Sequence, residues 1–350
     1  NTVIYSEDLP LMREIIDAAK DAGVSAIIAA DVAAMSYANS IGQEVHLSTQ
    51  LNISNVEALK FYARFADVVV LARELNLKQA HEIYQEIVKQ QIKGPKGELI
   101  RIEMFAHGAL CMAVSGKCYL SLHEMNASAN RGACMQICRR AYTVHDKDSQ
   151  IELDVEYQYI MSPKDLKTIH FMNKMMDAGV RVFKLEGRAR GPEYVRLVTE
   201  CYKEAVKAYC EGTFDEEKIA VWDERLRRVF NRGFWDGYYL GQRLGEWSSK
   251  YGSGATRKKV YVARGIKYFS GIGVAEFEME SGSLRVGDEI LVTGPTTGAV
   301  MQTVDEIRVD LKPVEETVKG ERFSIKMSEK IRPSDRLYKM EKVQIEKELR

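Results

Sequence analysis

VSAIIAAD, running from Val24 to Asp31, is the stretch that decides the fold class. A short, almost unbroken apolar run suits a strand buried on both faces, as in a parallel sheet covered by helices, and Asp31 ends it. Upstream, Ser6, Glu7 and Asp8 precede apolar residues at Leu11, Ile15, Ile16 and Ala19, and Gly23 closes the segment; this is a capped amphipathic helix. Downstream the unit repeats. The pattern predicts helices at Ala33–Ser40, Asn55–Arg64 and Leu77–Gln91, strands at Glu44–Thr49 and Asp67–Leu71, and, after the turn Gly94–Gly97, a strand at Leu99–Phe105. Such alternation means parallel βα units.

Four of the chain's six cysteines follow directly, between Glu103 and Tyr142. Cys111, Cys118, Cys134 and Cys138 form a C-x6-C-x15-C-x3-C pattern threaded with Gly108, Gly116 and Gly132. Four thiolates are the usual complement of an iron–sulfur cluster or a structural zinc. Zinc sites favour short knuckles, and here only Cys134-x3-Cys138 is one. Disulfides rank last, because no secretory leader is seen. The spacing is not a ferredoxin run, so it says "four-thiolate site", with a cluster preferred to zinc. The site lies beyond a strand's carboxyl end, where parallel α/β folds place functional loops.

The block EMFAHGALCMAVSGKCYLS, with RGACMQICR and KLEGR at Lys184–Arg188, resembles the signature of the collagenase-like peptidase family, peptidases of unknown catalytic type. The resemblance covers most of the chain, and Cys-x3-Cys followed by Arg139 is most similar to the tRNA 5-hydroxyuridine branch. It implies that Cys111, Cys118, Cys134 and Cys138 ligate a 4Fe-4S cluster and that Lys184, Glu186 and Arg188 form a charged strand-end motif. It further implies hydroxylation of the tRNA wobble uridine, with prephenate as an acidic hydroxyl source and an electron donor that the sequence does not name.

Beyond Tyr142, Val144–Val155 reads as a small insertion or hairpin, Tyr157–Met161 as a strand, a helix opened by Pro163 and Asp165 runs to Gly179, and Val180–Leu185 is the next strand. Glu193–Cys210 and Glu216–Phe230 are helical, with Cys201 and Cys210 packed as small hydrophobes. NRGFWDGYYLG, Asn231–Gly241, suits a stacked base, the capping of a barrel bottom or a domain junction equally. SSKYGSGATR is linker-like, and short Val, Ile, Phe and Tyr strands follow it, of which VGDEILVTGP resembles the second domain of translation factors. The expected fold is therefore α/β: an incomplete or partial TIM-like (β/α) barrel over 1–246, a linker at 247–257, a small antiparallel β-barrel at 258–342 and a charged tail at 343–350. About five or six parallel strands stand against the eight of a closed barrel. A chain trimmed at its N-terminus, with an open sheet edge, is the expectation.

With 50 basic and 50 acidic residues the formal charge is zero, which argues against binding nucleic acid by bulk charge. tRNA would meet local patches such as Arg131, Arg139, Arg140, Arg188 and Arg190. No long apolar run or leader is present, so a cytoplasmic protein without membrane contact is expected. Substrate-binding candidates are Lys184, Glu186, Arg188 and Arg139, whose cations would recognise an anion while Glu186 orients them. Glu186 and His107 are the catalytic candidates. A peptidase is the alternative, without H-E-x-x-H or G-x-S-x-G; His107 with Cys111 makes a Cys/His pair only by withdrawing Cys111 from the metal set. A zinc-stapled RNA-binding scaffold is the third reading.

Overall fold

The computed structural model describes residues 1–350 except 141, 143, 146–151, 154–160, 189, 249–251 and 344–350. The chain divides into two compact units. The first comprises Asn1–Glu186, Ala208–Glu216 and Arg232–Ser253, the second Gly187–Lys207, Glu217–Asn231 and Gly254–Arg350.

In the first unit, strands β1 (Ile27–Ala29), β2 (Val45–Leu47), β3 (Val68–Val70) and β4 (Arg101–Gly108) lie parallel in chain order. Helices α1 (Leu9–Asp21), α2 (Val32–Ser40), α3 (Val56–Tyr62) and α4 (Leu77–Gln90) alternate with them. Each expected element in this stretch is found within a few residues of its place. The local causes are plain. Asp31 caps α2 by accepting from the Ala33 N–H at 2.9 Å, which is also why the apolar run stops there. Asn76 and Gln79 close a reciprocal capping box on α4, both bonds 3.0 Å. All three residues of β3 are buried, as a strand covered on both faces requires.

The sheet departs from expectation after β4. Asp165–Lys167, expected inside a helix, is strand β5, and only α6 (Met172–Asp177) is helical in that stretch. β5 runs antiparallel to the end of β4 (His107 opposite Lys167) and parallel to β7, Phe234–Trp235. The cause is long-range. Asp165, 1% exposed, accepts from the Arg232 backbone N–H at 3.2 Å while its other oxygen lies 3.5 Å from the Arg232 guanidinium, and pairing with β7 overrides the local helical pattern. β6 (Val180–Leu185) pairs in parallel with β4, as its sequence predicts. The pairing order is β1-β2-β3-β4-β5-β7 with β6 on β4: a mainly parallel sheet, along which the described pairings form an open path. Val144–His145 and Glu152–Leu153 pair antiparallel, the expected hairpin; the strand expected at Tyr157–Met161 and the tail lie largely outside the described residues.

The second unit holds most of α7 (Pro192–Cys210) and α8 (Glu216–Arg227) and an all-antiparallel sheet. Its strands are β8 (Arg257–Phe269), β9 (Val274–Met279), β10 (Glu289–Gly294), β11 (Gly298–Thr303), β12 (Ile307–Val309), β13 (Lys312–Val314), β14 (Arg322–Lys326) and β15 (Arg336–Lys342). They pair in the order β11-β10-β15-β8-β9-β14-β12-β13 around a core that includes the stacked rings of Phe277 and Phe323. Cys201 is buried, and burial pushes its thiol up to about 11; Cys210 is exposed, contrary to its reading as a packed residue, because it is the last residue of α7. Among the described residues no helix is long and apolar enough to cross a membrane.

Candidate metal centre and the adjoining cavity

β4 ends at Gly108, whose φ of 111° turns the chain out of the sheet, and the cysteine segment follows. Four short pieces build it: Cys111 beyond the strand, Cys118 before α5 (Leu120–Met125), Cys134 after the 3-10 turn Ala129–Arg131, and Cys138 within the turn Ile137–Arg139. Gly116 has φ +74° and sits where a Cβ would meet Gln50 Cγ at 2.9 Å, so glycine there satisfies both backbone and space. Gln136, between Cys134 and Cys138, adopts φ 52° and opens the turn that holds Cys138.

Three anchors hold the segment. Ile137 is buried, the Met135 N–H donates to the buried Ser121 hydroxyl at 3.0 Å, and Arg139 reaches back to the sheet. The Arg139 guanidinium donates to Ser162 Oγ and the Pro163 carbonyl at 2.8 Å each, and to the Leu110 carbonyl. Leu110 precedes Cys111 and Arg139 follows Cys138, so this one side chain ties the first cysteine to the last. The guanidinium expected to meet substrate thus holds Ser162, Pro163 and Leu110 in this structure. Arg131, proposed for RNA, grips Asp8 with both nitrogens at 2.6 and 3.1 Å and lies over the Tyr5 ring. These hydrogen bonds lower the Asp8 carboxyl to about 2.

The thiols are mutually felt. Burial pushes the Cys138 thiol up, and Cys111, Cys134 and Cys118 push it the same way, while Arg139 opposes them. All four are free cysteines, Cys111 and Cys134 exposed and Cys118 and Cys138 half-buried. No set of three or more His, Cys, Asp or Glu side chains among the described residues is arranged to hold a single metal ion.

The strand-end charges are arranged differently from their sequence reading. Lys184 is not an open cation: its Nζ lies 3.2 Å from Glu103 Oε1, and His46 Nδ1 is 3.1 Å from Glu103 Oε2. Glu103 is 3% exposed; burial raises its carboxyl, but the His46 hydrogen bond and the Lys184 charge outweigh that and hold it below the ordinary range. Sequence reasoning missed Glu103 and His46, although a carboxylate in the apolar run of β4 was a signal. His107 is buried against Phe234, with ring centres 5.5 Å apart, and its carbonyl accepts from the Glu186 N–H at 2.8 Å. The two catalytic candidates are thus linked through backbone. Arg188 lies in the second unit, where it is exposed. The Asn231–Gly241 aromatics serve the first unit: Trp235 is in β7, and the Tyr239 hydroxyl donates to the Phe105 carbonyl at 2.9 Å inside the core.

A mainly parallel sheet whose strand end opens into a glycine-rich four-cysteine segment defines a class of protein: an α/β protein with a cysteine cluster in the loop beyond the carboxyl end of a central strand. Residues 1–249 match the sequence profile of Peptidase family U32, and the chain belongs to that family. It is 73% identical over 342 residues to a protein named collagenase from Porphyromonas gingivalis, covering 98% of this chain and 83% of that one. It is also 34% identical to a tRNA hydroxylation protein of Bacillus subtilis (71% of this chain, 60% of that). A 23S rRNA 5-hydroxycytidine synthase of Escherichia coli matches at 34% identity as well (70% of this chain, 36% of that).

Proposed function

We propose that Cys111, Cys118, Cys134 and Cys138 hold a 4Fe-4S cluster and that the chain acts in RNA hydroxylation, most concretely on the tRNA wobble uridine to give 5-hydroxyuridine, with prephenate as the acidic co-substrate. The observation that carries the reading is the set of four cysteines placed in one segment beyond the end of β4, with the residues beside the first and the last joined by Arg139. The hydroxylation names of two relatives, each about a third identical, support the reaction class. Bound there, a cluster supplies one-electron transfer. The chain's own part is to position and to shield: Ile137 and the half-buried Cys138 keep water from one side, and Arg139 fixes the spacing of the first and last ligands. His107 and Glu186 are the candidates for moving a proton. We also read the first sheet as part of a (β/α) barrel and the second as a small β-barrel.

The test is complementation. In a strain lacking the native protein, the wild-type chain should restore 5-hydroxyuridine in tRNA, measured by nucleoside mass spectrometry, and Cys138→Ala should not. Unchanged 5-hydroxyuridine in the deletion strain overturns the reading. A collagenase-type peptidase is the second reading, favoured by the name of the 73%-identical relative. Cleavage of native collagen by purified chain stripped of iron, in a strain with normal tRNA nucleosides, would establish it instead.

A further inference from the structure

The longest interval in the cysteine segment is the x15 stretch between Cys118 and Cys134. A long connection leaves its ends least determined, because closing it costs more chain entropy than closing a short one. The structure pins this interval close to Cys134, using residues far away in the chain. The Val3 N–H donates to the Asn130 carbonyl at 3.0 Å. The Arg131 guanidinium holds both carboxylate oxygens of Asp8, 123 residues away, and covers the Tyr5 ring at 4.3 Å from its centre. Thr2 Cγ2 stands 3.7 Å from where a Cβ on Gly132 would lie. Three consecutive residues thus meet the stretch Thr2–Asp8.

That stretch is itself held. The Tyr5 N–H donates to Asp8 Oδ2 at 2.8 Å, and the Ile4 N–H reaches Asp31 Oδ2 at 3.4 Å. Ile4 and Leu9 pack on the core that contains Met12 and Ile16 of α1. Thr2–Asp8 therefore carries the rigidity of the core to Asn130–Gly132, and Gly132 stands two positions before Cys134. An exposed ion pair adds little to global stability, and the Arg131 and Asp8 side chains are 36% and 24% exposed. Its effect is local. A guanidinium held by two parallel bonds and laid on a ring resists the opening of the one loop that carries it.

We infer that Thr2–Asp8 is a strap for the metal site and that Arg131 is its positioning residue: by fixing the chain just before Cys134 it slows the departure of the bound metal without contributing a ligand. The inference rests on the reading of the four cysteines as a metal site, though not on which metal they hold. It gives Arg131 a role other than meeting RNA, one that its contact with Asp8 already performs.

The test uses the full chain purified with its metal under exclusion of oxygen. Release of that metal to EDTA is followed by elemental analysis of the protein after rapid desalting. Arg131→Ala should release it about threefold to tenfold faster than wild type while the urea midpoint stays in place. Asp8→Asn, whose amide oxygen still accepts one bond, should quicken release less. The reversed pair, Asp8→Arg with Arg131→Asp, should return the rate toward wild type although either change alone quickens it. Arg285→Ala, which removes a comparable exposed pair with Glu316 in the second unit, should leave the rate unchanged. A wild-type rate in a folded Arg131→Ala chain, or equal acceleration by Arg285→Ala, would overturn the strap. If Arg131→Ala fails to fold, Asp8→Asn decides, and a rate equal to wild type overturns the strap as well. A wild-type chain that holds no metal removes the reading of the cysteines and the strap with it, whereas bound metal with an unmoved rate removes the strap alone.

Discussion

Replacing Glu103 by Gln tests the buried charge network under the sheet's carboxyl edge. The carboxylate is 3% exposed and bonded to His46 at 3.1 Å and Lys184 at 3.2 Å. Removing one member of a buried pair typically costs about 3–5 kcal/mol, because the partner's charge is left without compensation. Two features reduce that figure. Glutamine keeps an acceptor for one partner, and the Lys184 side chain is 17% exposed, so water recovers part of its solvation. We expect a loss of about 2–3 kcal/mol in urea denaturation at neutral pH. Lys184→Met alone should cost a similar amount, and the double variant less than the sum, since the two act on one interaction. The pH dependence carries its own sign. The Glu103 carboxyl titrates below its unfolded value, so its contribution is complete above about pH 4.3 and is lost as pH falls through the lower folded value. Glu103→Gln should flatten that acid limb. A loss under about 0.5 kcal/mol, or strict additivity with Lys184→Met, would refute the reasoning.

Two further outcomes follow from the cysteine segment. Arg131→Ala should return the Asp8 carboxyl from about 2 toward the ordinary value of about 3.9, read by carboxyl NMR; in the wild type the Asp8 contact is complete above about pH 4 and loosens only as pH falls through about 2, and an unmoved Asp8 titration would dismiss the pairing. Gly116→Ala, forced to φ +74° against Gln50, should lower stability by about 1–2 kcal/mol and the metal content with it; full stability in that variant would mean the turn is not constrained as described.

What could be read from sequence was what is local or periodic. The VSAIIAAD strand, the helix at Leu77–Gln91 and the β4 run into the cysteines all depend on residues a few positions apart, and each lies in the structure within a few residues of its expected place. Asp165–Lys167 was misread because its strand state depends on Phe234, Trp235 and Arg232, which no window around it contains. The same holds for the site. The cysteines announce themselves by composition and spacing, whereas the Glu103 contacts with His46 and Lys184 span 57 and 81 residues. Arg139 and Lys184 looked like open cations only because their partners, the Leu110 carbonyl and Glu103, are distant in the chain.

The central claim is the nature of the four-cysteine site, and the most direct test is metal and sulfide analysis, with a visible spectrum, of the full-length protein purified without oxygen. The account predicts iron and acid-labile sulfide in equal amounts with a broad visible absorbance, all of it lost in Cys134→Ala and Cys138→Ala. Zinc alone, or four free thiols with no metal, would contradict it.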